Sequence, residues 1–185
     1  MDDRQLWDLG TVRLKGLLAD LSGGTGLTLT KLLTRYRKAK ETLAAVVAEV
    51  DAACVCRECG GQCCLNGKYR INALDTLARI AAKIPTSADF SQKPSCPYGS
   101  DGGCAMEPGL RPADCVSFIC DAIDQKLSPQ ARLILAEQEQ LLRECIRIAS
   151  GLTGEQLGTP LLLWAGKTAP NPTQRCKGKD NGNYS

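Results

Sequence analysis

The chain has 185 residues, a formal net charge of +3 and a composition that is 43% hydrophobic but only 4% aromatic. A chain of this length buries one ordinary core, so we expect a single domain. Because aromatic residues are scarce, the core must consist mainly of Leu, Ile, Val and Ala, which favours helices over a β-sandwich. Histidine is absent, which excludes histidine-based acid–base catalysis and histidine-activated nucleophiles.

The first ten residues, MDDRQLWDLG, are acidic and contain no continuous apolar stretch, and no later run approaches about 18 apolar residues. We therefore expect no secretory signal, no contact with membrane and a cytoplasmic location. In that reducing compartment thiols stay free or bind metal, which weakens a disulfide interpretation of the eleven cysteines.

Two helices are predicted before the cysteine-rich segment, over residues 5–21 and about 28–53, with SGGTG as the turn between them. We interpret the pair as a helical hairpin. In the second helix, three- and four-residue steps predict one buried face, formed by Leu32, Tyr36, Ala39, Leu43, Val46 and Val50. A basic run in the same helix is interpreted as a solvated face rather than a nucleic-acid surface, and it consists of Arg35, Arg37, Lys38 and Lys40.

Three further helices are predicted after the first cysteines, which we expect to lie in a loop. Asn72 caps a helix that runs to about residue 83, and RPADCVSFICDAI forms a short helix with Pro112 in its first turn. Ser128 followed by Pro129 starts a last long helix, which we expect to pack on the N-terminal hairpin. Its apolar stripe consists of Leu135, Leu142, Cys145, Ala149 and Leu152.

The predicted fold class is mainly α: a helical bundle with an inserted cysteine-rich, loop-rich metal-binding lobe. Residues 1–165 form the single helical domain, and the cysteine-rich segment occupies 54–120. Residues 166–185 combine Pro, Gly and Asn with almost no apolar content, so burial cannot offset their ordering entropy. We expect this tail to be disordered.

The cysteine pattern carries the strongest functional signal in the chain. Four cysteines lie in CRECGGQCC, namely Cys56, Cys59, Cys63 and Cys64, and the later group is Cys96, Cys104, Cys115 and Cys120. Thiolates are soft ligands suited to zinc or to iron–sulfur clusters, and a two-residue spacing lets both sulfurs reach one metal ion. Adjacent side chains diverge, so Cys63 and Cys64 could serve two metals or leave one thiol unused.

Several alternatives stay open beside metal binding. The thiols could be small buried hydrophobes, structural disulfides, or a redox pair at Cys56 and Cys59, although no βαβ context supports the redox role. The spacing matches neither a zinc ribbon, which needs a second C-x2-C, nor a bacterial ferredoxin. Nearby cations that could screen a thiolate cluster, or lie on the solvated surface instead, are Arg57, Lys68, Arg70, Lys93 and Arg111.

The motifs CRECGGQCC, SCPY, GGC and RPADCVSFIC resemble the CxxCxxCC family of zinc- or iron-chelating domains, also called YkgJ-like cysteine cluster proteins. The resemblance covers residues 56–120 and leaves out the flanking helices. It implies metal or iron–sulfur binding by the eight cysteines of the two groups, and structural roles for Arg111, Pro112 and Phe118. The chain departs from the family pattern by one extra residue, C-x3-CC in place of C-x2-CC. Cys54 has no counterpart, and Cys145 and Cys176 lie outside the motifs.

We therefore expect a metal-binding protein that holds zinc or an iron–sulfur cluster, in a structural or a redox role. Two other functions stay open: an iron-dependent enzyme whose open metal site acts on a peptide or protein, and a metal delivery protein. The expected partners are metal ions. A protein partner stays open, while nucleic acid and membrane are not expected.

Overall fold

The computed structural model describes residues 1–21, 23–59, 67–90, 96–100 and 103–167. Helices dominate this part of the chain, so the mainly α fold class is confirmed. The helices are α1 (Asp3–Asp20), α2 (Gly23–Ala48), α3 (Ala52–Glu58), α4 (Ala73–Ala81), α5 (Ala113–Ser117), α6 (Asp121–Asp124), α7 (Pro129–Thr153) and α8 (Leu161–Lys167). Strands β1 (Gly99–Ser100) and β2 (Gly103–Cys104) form one antiparallel hairpin, and a 3-10 helix spans Pro108–Leu110.

Helices α1 and α4 each begin at a capping box. The Asp2 carboxylate accepts the Gln5 amide at 2.8 Å, and the Asn72 side chain accepts the Asp75 amide at 2.7 Å. In each case the third helical side chain returns a hydrogen bond to the cap backbone, so two otherwise unpaired amides are satisfied. The predicted cap at Asn72 is confirmed.

Helix α7 starts at the predicted Ser128-Pro129 pair. The Ser128 hydroxyl accepts the Ala131 amide at 3.1 Å, and the helix ends at Gly154, whose φ of 71° glycine adopts without strain. The predicted stripe is largely confirmed, with Leu135, Leu142, Cys145 and Ala149 buried and Leu152 half-buried.

The main core forms between α2 and α7, which pack along each other. This arrangement confirms the expected contact between the last long helix and the N-terminal region. Five of the six apolar positions predicted for the second helix are buried, namely Leu32, Tyr36, Ala39, Leu43 and Val46. Helix α2 already begins at Gly23, so the glycines of SGGTG lie in its first turn instead of forming a long connection.

The predicted hairpin of α1 with α2 is wrong. In the described residues α1 packs against α8 and α4, while α2 packs against α7 and the 3-10 helix. Helix α8, which the sequence analysis does not predict, buries Leu161 and Trp164. The Leu161 amide donates to the Ile71 carbonyl at 2.8 Å, which joins α8 to the start of α4. Trp7 and Leu14 are buried residues on the inner face of α1.

The predicted loop at the first cysteines is also partly wrong, because residues 52–58 form the short helix α3. Ala52 and Val55 face α6, where they pack on Ile123 in a small apolar cluster beside the main core. Apolar burial on one face stabilises this helix although its sequence is rich in cysteine.

None of the helices in the described ranges is both long and apolar enough to cross a membrane. Gly166 and Lys167, assigned to the tail by the sequence analysis, belong to α8. The rest of the predicted tail, residues 168–185, lies outside the described residues.

Candidate metal centre

The β-hairpin determines where Cys96 and Cys104 lie. The Cys96 carbonyl accepts the Gly99 amide at 2.9 Å, and Gly99 then pairs with Cys104 across the two strands. The hairpin continues with the Ala105 amide, which donates to the Tyr98 carbonyl at 2.9 Å. The strand pairing brings two cysteines that are eight positions apart in sequence back to the same part of the fold.

Gly67 approaches Cys96 so closely that it leaves no room for a side chain. A Cβ atom at Gly67 would lie 2.4 Å from the Cys96 sulfur and 2.7 Å from the Cys96 Cβ. In sequence, Cys64 is three residues upstream of this glycine. Cys63 and Cys64 themselves lie outside the described residues.

Cys115 lies on α5 in a shielded position near the hairpin. Burial raises the pKa of its thiol well above the ordinary value, and Arg70 opposes that rise. The acidic groups that raise the pKa further are Asp75, Cys104 and Cys96. The Cys96 and Cys104 thiols therefore lie within electrostatic range of the Cys115 thiol.

A second neighbourhood forms where α3 meets α6. Cys120 caps the start of α6 and packs with the small apolar cluster that faces α3. Helical periodicity places Cys59 on the same face as Val55, with Cys56 next to it, and both side chains are exposed. Cys54 points away from this face and donates to Glu58 at 3.5 Å. Cys56 and Cys59 thus lie on or directly after α3, and Cys120 lies at the start of α6, against which α3 packs.

The remaining cysteines have different surroundings. Cys145 is fully buried on α7 within the main core, as its place on the apolar stripe predicts. Cys176 lies outside the described residues.

A buried ion pair between Lys40 and Asp75 makes hydrogen bonds to the backbone just before Cys115. The Lys40 ammonium lies 2.9 Å from an Asp75 carboxylate oxygen and 2.9 Å from the carbonyl oxygen of Arg111. The Ala113 amide donates to both carboxylate oxygens of Asp75 at 3.3 Å, and the Tyr36 hydroxyl donates to one of them at 3.0 Å. The two charged side chains are only 1% and 0% exposed. We call this arrangement the Lys40–Asp75 clamp.

From sequence, the basic run in α2 is interpreted as a solvated face, and this interpretation is wrong for Lys40. Lys40 is buried rather than solvated, whereas Lys38 is exposed and pairs loosely with Glu41 at 3.7 Å. Sequence spacing contains a signal for this difference, because Lys40 follows Tyr36 by four positions and precedes Leu43 by three, which places it on the buried stripe. A lysine on an apolar stripe needs a buried carboxylate partner, and Asp75 supplies it.

The cations that flank the cysteines in sequence have different surroundings in the fold, and Lys93 lies outside the described residues. Arg70 donates to the Asp114 carbonyl at 3.2 Å and lies 5.1 Å from the centre of the Phe118 ring. Lys68 instead pairs with Asp3 of α1 at 2.5 Å. Of this group, Arg70 therefore acts on the thiol of Cys115 directly.

An aromatic cluster covers the hairpin on the side of α1. Trp7 contacts the rings of Phe90 and Tyr98 at centroid distances of 5.6 and 5.8 Å, and the Arg79 guanidinium lies 4.6 Å from the Tyr98 ring centre. Burial, together with the Cys96 and Cys104 thiols and against the effect of Arg79, raises the pKa of Tyr98 to about 12. The hairpin is thus attached to the helical core rather than held by its own two residue pairs.

The donor chemistry of these cysteines fits a soft metal, since thiolates are soft donors and Gly67 packs against Cys96. Within the described ranges, however, no three Cys, Asp or Glu side chains are already arranged to hold a metal ion. Cys63 and Cys64, outside those ranges, are the missing members of the predicted ligand set.

Comparisons with known proteins find no matching family model, no matching curated protein and no matching solved structure. The resemblance to the CxxCxxCC family therefore stays a prediction, based on the motifs themselves.

Proposed function

We propose that the protein binds metal, as zinc or as an iron–sulfur cluster, through its two cysteine groups. The observation that carries this proposal is the β-hairpin, in which Gly99 bonds to Cys96 and pairs with Cys104, and both thiols act electrostatically on Cys115 of α5. Their mutual effect on the pKa of Cys115 means that three ionised thiols would repel one another. A bound cation would remove that repulsion.

The proposed ligands form an inserted cysteine-rich lobe. Its first neighbourhood is Cys56, Cys59 and Cys120, its second is Cys96, Cys104 and Cys115, and Cys63 and Cys64 lie between them in sequence. With this division, each member of the vicinal pair can complete a different set of four thiolates. Four thiolates saturate zinc in structural sites, and iron–sulfur clusters use the same donors.

Metal delivery is a second candidate, supported by solvent access. Cys56, Cys59 and Cys104 are exposed, so chelators or partner proteins can approach these sulfurs. A delivery protein would exchange its metal while staying folded, whereas a structural site would lose its fold with the metal. Timed removal of metal by a chelator, followed by circular dichroism, separates the two.

The proposal is tested by exchanging single cysteines and measuring bound metal. Cys115→Ser should lower the metal content of anaerobically purified protein, because serine does not replace a thiolate on a soft metal. Cys145→Ser is the matched control, since Cys145 is buried in the core far along α7. Equal metal content in both variants would contradict the ligand assignment.

A further inference from the structure

We propose that Lys40 and Asp75 are positioning residues of the metal centre, which hold Cys115 and Cys104 in place for metal binding. This inference rests on the proposed function. The clamp lies entirely outside the cysteine motifs, on α2 and α4, and neither side chain carries a sulfur donor. Its role is to connect the ligand-bearing segments to the helical core.

The first connection runs from the clamp to Cys115. Lys40 binds the Arg111 carbonyl and Asp75 binds the Ala113 amide, so the backbone is held on both sides of Pro112. The Cys115 amide then donates to the Pro112 carbonyl at 2.9 Å, in the first turn of α5. A displacement of the clamped segment would therefore carry the sulfur of Cys115 with it.

The second connection runs back towards Cys104. The Arg111 side chain donates from Nε to the Met106 carbonyl at 3.1 Å, and its amide donates to the Glu107 carbonyl at 3.1 Å. Met106 is two residues after Cys104 and its side chain is buried. The clamp thus stabilises the whole chain segment between these two cysteines.

The ionic nature of the clamp supports positioning over simple stabilisation. Well-packed apolar side chains can replace a buried ion pair without loss of stability, so stability alone does not explain two buried charges. Apolar side chains could not bind the Arg111 carbonyl and the Ala113 amide, however. Hydrogen bonds that orient metal ligands from outside the coordination sphere typically contribute about 10–100-fold to metal affinity.

The test is a double variant, Lys40→Met with Asp75→Asn, which removes both charges together and so leaves no unpaired buried charge. Cobalt(II) is the probe, because its visible absorption reports thiolate coordination. Affinity is measured anaerobically by competition with a chelator, on protein whose helical circular dichroism matches wild type. We expect affinity to fall about 10–100-fold and the absorption band to change.

Lys38→Met is the matched control, because Lys38 lies on the same helix with an exposed side chain. It should bind cobalt(II) like wild type. A folded double variant with the affinity and spectrum of this control would overturn the inference while the proposed function stands. If wild type itself binds neither cobalt(II), nor zinc, nor iron with sulfide, the proposed function fails, and the inference fails with it.

A second measurement uses wild type, so it does not depend on whether the double variant folds. If the clamp is linked to the metal, metal binding should slow hydrogen exchange at the Ala113 amide, which donates to Asp75. The Leu142 amide, within α7, should exchange at the same rate with and without metal. An unchanged Ala113 rate in the metal-loaded protein would contradict a link between the clamp and the centre.

Discussion

Tyr36 contributes to stability as an uncharged group beside a buried carboxylate. Burial, followed by the Asp75 charge, raises the pKa of its phenol well above the ordinary value. In the unfolded chain a tyrosine ionises near pH 10, whereas folded Tyr36 keeps its proton to higher pH. Above about pH 10 the unfolded state therefore binds fewer protons than the folded state, and stability falls as pH rises.

We expect Tyr36→Phe to remove the contribution of Tyr36 to the fall in the free energy of unfolding above about pH 10. Through Tyr36 alone, the free energy of unfolding of wild type should fall by up to about 1.4 kcal/mol per pH unit above about pH 10. Urea denaturation at several alkaline pH values measures the slope. Tyr69→Phe, which removes a phenol hydroxyl from a residue that is 43% exposed, is the control. Equal slopes in both variants would refute this account.

The contact between Gly67 and Cys96 gives a steric prediction at the candidate centre. Gly67→Ala would place a methyl group 2.4 Å from the Cys96 sulfur, so one of the two segments must move. We expect a loss of about 1–3 kcal/mol in the free energy of unfolding, as is typical of overpacking. Thermal or urea denaturation measures this change.

Gly151→Ala is the control, because it makes the same glycine-to-alanine change where the added methyl group meets no neighbouring side chain. No heavy atom lies within 4 Å of its added Cβ, and Gly151 lies within α7. Alanine favours helix over glycine by up to about 1 kcal/mol, so this variant should be more stable than wild type. The steric account fails if Gly67→Ala is as stable as Gly151→Ala.

At the scale of secondary structure, the Ser128 cap stabilises the first turn of α7, the helix that packs along α2. The Ser128 hydroxyl satisfies the Ala131 amide, which would otherwise lack a partner in the first turn. Ser128→Ala should lower the free energy of unfolding by about 1 kcal/mol, measured by urea denaturation. Ser128→Asp keeps an acceptor at this position and should stay within about 0.5 kcal/mol of wild type. A similar loss in both variants would argue against the cap.

Helices marked by a cap or by an apolar stripe in their own sequence could be predicted. Helices that depend on contacts with residues far along the chain could not. The caps at Asn72 and Ser128 and the apolar stripe of α7 are local, and all three are confirmed. Helix α3 depends on Ile123 of α6, far along the chain, for its buried face. Helix α8 likewise depends on contacts with α1, which no short sequence window contains.

At the scale of the whole molecule, the helical core and the cysteine-bearing segments are joined by an aromatic contact and by a buried ion pair. The hairpin is attached through Tyr98 and Trp7, and α5 is attached through the Lys40–Asp75 clamp. Cysteine spacing alone could predict the ligand candidates, because metal coordination requires particular residue types. It could not predict the clamp, since Lys40 and Asp75 are 35 positions apart and meet only in the folded chain.

The same contacts explain how the cysteines fall into two neighbourhoods. Cys115 follows the clamped segment, while Cys120 lies at the start of α6 and faces α3. The proposed ligands Cys115 and Cys120 thus lie five positions apart in sequence, one on α5 and one at the start of α6. This division favours two metal ions or a cluster over one isolated four-thiolate site.

The most direct measurement is the metal content of wild type after anaerobic purification, by elemental analysis together with a visible absorption spectrum. The account predicts stoichiometric metal bound to the protein. Colourless protein with zinc would identify a zinc site, and iron with sulfide and a broad visible band would identify an iron–sulfur cluster. Protein that contains neither metal, and that binds neither zinc nor iron with sulfide when these are supplied under reducing conditions, would contradict the central claim.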